Sequence, residues 1–155
     1  MDEDLKKTVS AFRKLVTTLK RGKTHERLTE AAGIRLDRPG VEILVSLLDA
    51  GEPRRIGAIA EALQVESPHV TRHVAALEQR GLVERVRDPD DGRAWRIALT
   101  EEGAVAASKC AQVTTDWFEG AMAGWSAADR AELSRLMEKL TDDVCAHLRA
   151  QMVVK

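Results

Sequence analysis

The sequence contains only two cysteines, Cys110 and Cys145, far apart in the chain and in no CxxC or other metal-type spacing. Neither a disulfide framework nor a zinc finger is therefore expected, and both thiols read first as small buried hydrophobes. Long apolar runs are missing as well. The stretch from Val41 to Leu48 is interrupted by Glu42 and Ser46, far short of the roughly 20 residues that span a bilayer. The N-terminus opens Asp2-Glu3-Asp4 without an apolar signal core, so the expectation is a soluble, cytoplasmic protein with no membrane partner. There is no glycine-rich phosphate loop, nucleophile elbow, HExxH or paired cysteine-histidine constellation, which argues against an enzyme, and no cofactor is expected. The neighbouring carboxylates Asp88, Asp90 and Asp91 are explained by a proline-glycine turn.

A dominant charge is absent too: 24 Lys and Arg stand against 25 Asp and Glu, a formal net charge of −1. Its distribution says more. Residues 54–96 hold 8 cations against 7 anions, and all 8 are arginines, the side chain suited to bidentate contact with phosphate or guanine. The acidic excess lies after residue 96, with 6 cations against 9 anions, where acidic helices can keep the molecule in solution. At 155 residues the chain has the length of one ordinary domain, and 44% hydrophobic residues suffice for a core.

Apolar residues at Leu5, Val9, Phe12, Val16 and Leu19 recur at three- and four-residue steps, predicting an amphipathic helix over 3–21 that ends at Gly22. A short helical piece follows at 25–32. Asp37 caps a helix with Pro39 in its first turn, and Val41, Leu44, Val45 and Leu48 line one deeply buried face before Gly51 stops it. Ile59, Ala60 and Leu63 give two more turns of helix. Gln64-Val65-Glu66 make a tight turn, and Ser67 and Pro68 open another helix as N-cap and first residue, closed by Gly81. Two short helices joined by three residues are a helix-turn-helix. Residues Leu82 to Arg87 and Ala94 to Leu99 are β-rich runs around Asp88-Pro89-Asp90-Asp91-Gly92, predicting a hairpin, or wing. Thr100 caps a helix carrying Val105, Val113, Trp117 and Ala121. Ser126, with Asp129 three residues on, caps a last helix striped by Leu133, Leu136, Leu140, Val144 and Leu148.

Projected at about 100° per residue, the second helix of the pair turns Val70, Val74 and Leu77 to the core. Opposite lie Pro68, Arg72 and Ala75, flanked by His69, Thr71 and Ala76, a surface that fits a DNA major groove: arginine for guanine, threonine for a base or phosphate, alanine methyls for thymine methyls. An ordinary solvated helix face is the alternative, and the preceding helix and the arginine-rich hairpin weigh toward DNA. Arg85 and Arg87 share a strand face, where they either meet phosphate or guard an edge. Arg54 and Arg55 are either backbone clamps or part of a solvated loop. Trp95 alternates with Ile97 and Leu99 and is expected to pack the hairpin onto the module.

The run from Ser67 to Arg85, SPHVTRHVAALEQRGLVER, followed by Asp88-Pro89-Asp90-Asp91-Gly92-Arg93 and Leu99-Thr100-Glu101-Glu102-Gly103, resembles the core of the MarR family of multiple antibiotic resistance regulators. The resemblance is strongest over about residues 36–103. It implies a mainly α fold with a small β-hairpin wing: a winged helix-turn-helix over 36–103, flanked by dimerisation helices in 1–35 and 104–155. The family's Asp-x-Arg wing element corresponds to Asp91 and Arg93, the arginine entering the minor groove and the aspartate holding it. Many relatives carry a further arginine where this chain has Gly92. The DNA-contact set so implied is Arg54, Arg55, Ser67, Pro68, His69, Thr71, Arg72, Arg87, Asp91 and Arg93. The implied function is a homodimeric repressor on a pseudo-palindromic operator in double-stranded DNA, released by a small aromatic or phenolic effector, with Phe12 and Trp117 as candidate ligand residues. Sensing through redox chemistry or a metal is the alternative within the same fold, and a winged-helix protein-interaction module that never touches DNA is the alternative outside it. For a metal, His69 and His73 have the i, i+4 spacing but no third ligand nearby beyond Glu66. For redox sensing, Lys109 beside Cys110 is the one local feature.

Overall fold

In the computed structural model, which describes residues 2–20 and 23–152, seven helices and one hairpin follow in order among the described residues: α1 (Glu3–Lys20), α2 (Thr24–Ala32), α3 (Arg38–Ala50), α4 (Ile56–Leu63), α5 (Ser67–Gln79), β1 (Val83–Arg87), β2 (Trp95–Leu99), α6 (Glu101–Ala121) and α7 (Ala127–Met152). Each element begins and ends where its local chemistry demands. The Asp37 side chain accepts a hydrogen bond from the Gly40 amide at 2.9 Å, starting α3, and Gly51 ends it in the left-handed region at φ 68°. Thr100 Oγ1 accepts from the Gly103 amide at 3.0 Å and donates to the Gly81 carbonyl at 2.6 Å, so one hydroxyl caps α6 and ties it to the end of α5. Ser126 Oγ accepts from the Asp129 amide at 3.0 Å to open α7. Ser67 is a departure: it is the first residue of α5, preceded by Glu66 with no side-chain cap, and Pro68 lies within the first turn. The expected end of α1 at Arg21 and Gly22 lies outside the described residues.

Two compact units, 1–115 and 116–155, divide the chain within α6. In the first, α3 supplies the centre of the core through Ile43, Leu44 and Leu47, against Ile59 and Ala60 of α4, Val70, Val74 and Leu77 of α5, Val83 and Ile97 of the hairpin, and Ala106 and Ala107 of α6. The three apolar residues of α5 are at most 2% exposed, and full burial of such a side chain is worth about 1.5–3 kcal/mol, so the helix orientation is fixed from below. A smaller cluster joins Ala32, Val41 and Cys110. The hairpin is antiparallel, pairing Val83 with Leu99, Arg85 with Ile97 and Arg87 with Trp95. A backbone bridge that periodicity did not reveal adds Arg54 to the far edge of β2, with Arg54 and Ile97 exchanging hydrogen bonds of 3.0 and 2.7 Å.

The buried face of α6 is Gly103, Ala106, Ala107 and Cys110, and Val105 is half exposed. Small residues win there because α6 lies against the chain at Leu82. A Cβ built on Gly103 would stand 1.7 Å from the Leu82 carbonyl oxygen. Neither α1 nor α7 contains a buried residue. Leu5, Val9, Phe12, Leu15 and Leu19 form an exposed apolar line on α1, and Leu136, Leu140, Val144 and Leu148 do so on α7 in the second unit. Cys145, expected to be buried, is exposed on α7. Among the described residues no helix is long and apolar enough to cross a membrane.

Gly103→Ala gains up to about 1 kcal/mol of helix propensity but forces backbone apart, and overpacking of a tight core costs about 1–3 kcal/mol or more. The clash is with backbone, so the variant is expected to be the less stable protein. Urea denaturation of the two proteins measures the difference, and a variant as stable as wild type would contradict the close approach.

Candidate nucleic-acid interface

Because Val70, Val74 and Leu77 point inward, helical geometry turns Ser67, Pro68, Thr71, Arg72 and Ala75 outward, all of them exposed. His69 is half-buried at the edge of that face. Arg72 Nη2 lies 3.5 Å from His69 Nδ1, and no carboxylate pairs with Arg72 among the described residues. Thr71 Oγ1 donates to the Ser67 carbonyl at 3.1 Å. His73, one turn on, sits with Nδ1 3.5 Å from Asp37 Oδ2, its ring 4.5 Å from that of His69. His73 thus sits at the seam between the start of α3 and α5, with His69 beside it at the edge of the outward face. His25, similarly, bonds the Leu36 carbonyl through Nε2 at 2.9 Å.

The wing is organised by a residue whose role the turn chemistry concealed. Asp88, 2% exposed, receives Arg55 Nε at 2.7 Å and Arg96 Nε at 2.8 Å on Oδ2, while Oδ1 accepts the amides of Asp90 at 2.9 Å and Asp91 at 3.1 Å. One carboxylate therefore folds the tip of the hairpin and ties it to the residue preceding α4. The bond from Arg55, then that from Arg96, then the Asp90 amide hold the Asp88 carboxyl well below the usual carboxylate range, outweighing the opposite effect of burial. Arg55 is raised in turn by the same partner. The sequence signal present was an Asp followed two and three residues later by amides free to cap it; the 33-residue separation from Arg55 was not readable.

The arginines around the wing fall into two groups. Arg55 and Arg96 are paired with Asp88, Arg85 Nε is 3.3 Å from Glu78 Oε2 on α5, and Arg54 Nη2 is 3.4 Å from Glu52. Arg87 and Arg93 are exposed, and among the described residues no carboxylate pairs with either. Asp91 Oδ1 accepts the Arg93 amide at 3.0 Å, so it fixes the backbone of Arg93 and not its guanidinium. Trp95, expected to pack inward, is instead 41% exposed, with the Arg87 guanidinium carbon 4.0 Å from its ring centroid. Ile97 and Val83 are buried on the inner face with Leu99 partly buried against the core, and the hairpin extends beyond the core by its last pair.

Within the first unit a groove of about 790 Å³ runs between α3, α4 and α6, floored by Val41, Val45, Ile59, Leu63 and Cys110 and edged by Glu42, Asp49 and Arg54. Phe12 does not line it, and Trp117 lies half-buried in the second unit. Burial pushes the Cys110 thiol up, away from the thiolate that redox sensing requires.

Asp88→Asn removes the charge that both arginines share. A depressed carboxyl stabilises the fold at every pH above its unfolded value of about 3.9, and the contribution is lost as pH falls toward the lower folded value. The stability difference between wild type and Asp88→Asn is therefore expected to be constant from pH 5 to 8 and to shrink only below about pH 4. Melting curves across pH read this directly, with faster amide exchange over 88–94 in the variant as a second signature; a difference that vanishes by pH 6 would contradict it.

Residues 36–95 match the model of the MarR family. The HTH-type transcriptional repressor IacR of Pseudomonas putida is 29% identical over 105 residues, covering 68% of this chain and 62% of that protein. The matches span 57 to 68% of the lengths of the first three curated relatives. A MarR family protein from Bacillus stearothermophilus shares the fold at a TM-score of 0.76, with 19% identity over 93% of this chain and 98% of its own. The PcaV transcriptional regulator of Streptomyces coelicolor, solved with its natural ligand, does so at 0.56, with 23% identity over 83% of this chain and 89% of its own. Residues 36–95 of this chain thus match the MarR family's model, and the chain has the winged helix-turn-helix fold of MarR-type structures.

Proposed function

We propose that the protein is a homodimeric regulator that binds an inverted-repeat operator in double-stranded DNA, represses transcription, and lets go when a small molecule binds. The observation that carries the DNA reading is the sorting of arginines by partner. Arg55, Arg85 and Arg96 are paired with Asp88, Asp90 and Glu78 inside the module, whereas Arg72 on α5 and Arg87 and Arg93 on the wing are exposed without a carboxylate among the described residues. A helix whose inner face is fixed and whose outer face offers Arg72, Thr71 and small side chains suits a major groove, and a wing arginine beside it suits the narrower groove. The exposed face of α5 carries no large apolar side chain, which disfavours a protein-interaction module. Ser67, Pro68 and His69 border Arg72 and serve as phosphate contacts beside it, and Asp91 sets the backbone of Arg93; Arg54 and Arg55, expected as clamps, are held by Glu52 and Asp88 and act by fixing the wing to the start of α4.

Dimerisation is supported by the exposed apolar lines on α1 and on α7, each more than a monomer keeps in water. Two-fold symmetry then requires half-sites about one helical turn, ~10 bp, apart. Repression follows the repressor named among the relatives, and effector release follows the ligand-bound PcaV. The groove above Cys110 offers apolar walls for an aromatic or phenolic ligand, and Phe12 and Trp117 remain candidates only through such an assembly. The reading places the protein in the cytoplasm.

Arg72→Ala is expected to cost about 1–3 kcal/mol of binding and to relax preference at particular base pairs. Arg93→Ala should weaken binding on most sequences and lower the magnitude of the salt slope by about one unit, leaving base preference intact. Titrations at several salt concentrations, on a duplex recovered by selection with the wild-type protein and on its shuffled version, separate the two. Unchanged affinity in both variants would remove this face from DNA reading. Light scattering at micromolar concentration should give twice the chain mass; a folded monomer would refute the dimer.

A further inference from the structure

We infer that Trp95 is a positioning residue of the DNA interface: it holds the Arg87 guanidinium in place as a ready-made phosphate contact. The inference rests on the DNA-binding reading and adds a residue to it. Trp95 and Arg87 are the last cross-strand pair of the hairpin, so both side chains rise from the same sheet face beyond the point where Val83 and Ile97 enter the core. A tryptophan placed there to pack would turn inward, yet 41% of it is exposed. Over its ring lies the Arg87 guanidinium, its carbon 4.0 Å from the centroid. The same guanidinium donates through Nη1 to the Gly92 carbonyl at 2.8 Å. Arg87 is thus held from two sides, by an aromatic face and by the wing-tip backbone.

A guanidinium has five N–H donors in a rigid plane, and stacking uses none of them. One is spent on Gly92, and no carboxylate takes the others among the described residues. A free arginine loses rotamer freedom when it docks on phosphate, and one already held loses less, which appears as affinity. The neighbouring arginines do not share this arrangement: Arg85 and Arg96 are turned back to carboxylates of the module, and Arg93 is fixed only at its backbone. The partner is the DNA backbone because the groups presented are N–H donors carrying a positive charge.

The test is a set of binding titrations at several salt concentrations on the duplex selected by the wild-type protein, comparing Arg87→Ala, Trp95→Leu, Trp95→Phe and the double variant Arg87→Ala/Trp95→Leu, with melting curves to confirm folding. Trp95→Leu should weaken binding about two- to five-fold although it removes no charge. The salt slope should fall toward that of Arg87→Ala, which loses about 0.9 for one phosphate. Trp95→Phe should restore most of the loss, and the double variant should bind no more weakly than Arg87→Ala. A Trp95→Leu that weakens binding without changing the slope, or losses that add in the double variant, would overturn the positioning role, as would wild-type affinity in Trp95→Leu. If instead Arg72→Ala and Arg93→Ala also leave affinity unchanged, the DNA reading itself fails and takes this inference with it. Should Trp95→Leu fail to fold, Arg87→Lys decides: it keeps the charge, and a slope unchanged at wild-type affinity would show that the stacked planar group is not needed.

Discussion

A single buried carboxylate, that of Asp88, determines whether the wing is a rigid part of the module or a loose appendage. A two-stranded hairpin of this length is marginal by itself in water. At its base this hairpin is anchored by Val83 and Ile97 in the core, and at the edge of β2 by the backbone bridge to Arg54. Neither reaches the tip. Asp88 does so by capping the turn through two amides and by drawing in Arg55, from beside α4, and Arg96, from β2, with one oxygen. Both arginines stay partly in water, so their contribution is one of geometry more than of strength. Its consequence is that the wing-tip turn and the start of the helix-turn-helix are fixed to each other.

That arrangement also explains how a protein of net charge −1 can present a basic surface. The arginines that build the module are paired locally, with Asp88, Asp90 and Glu78, and so add less to its outer field. Within residues 54–96, the arginines for which no carboxylate partner is found among the described residues are Arg72 on the outward face of α5, Arg87 and Arg93 on the wing, and Arg80, which donates to the Arg35 carbonyl. The acidic excess belongs to residues after 96, on helices that also expose apolar residues such as Leu136, Leu140, Val144 and Leu148. Charge is thus partitioned along the chain, and the total conceals it.

Much of this was legible in the sequence, for a physical reason: helix termini and helix faces are local. Asp37, Thr100 and Ser126 cap helices within three residues of themselves, and Val70, Val74 and Leu77 point inward by spacing alone. What was not legible depended on contacts distant in the chain. Alternation placed Trp95 on the inner face correctly but could not show that the hairpin outruns the core by one pair. Val105 fits an apolar stripe, yet the close approach of Leu82 selects the Gly103, Ala106, Ala107 and Cys110 face instead. Asp88 looked like turn chemistry because its arginine partner lies 33 residues away, and Arg85, ambiguous as a strand residue, is resolved by Glu78 on another element.

The central claim is that the Asp88 tie makes wing and helix act on DNA as one body, and a double-variant cycle on operator affinity tests it most directly. Asp88→Asn, Arg93→Ala and the pair would be titrated against the same duplex under identical salt. If the tie holds Arg93 where it can reach the groove, Asp88→Asn weakens binding in the wild-type background but adds little once Arg93 is gone, leaving a coupling energy of about 0.5–3 kcal/mol, as expected for residues in one network. Strictly additive losses, or an Asp88→Asn protein that binds like wild type, would contradict the account.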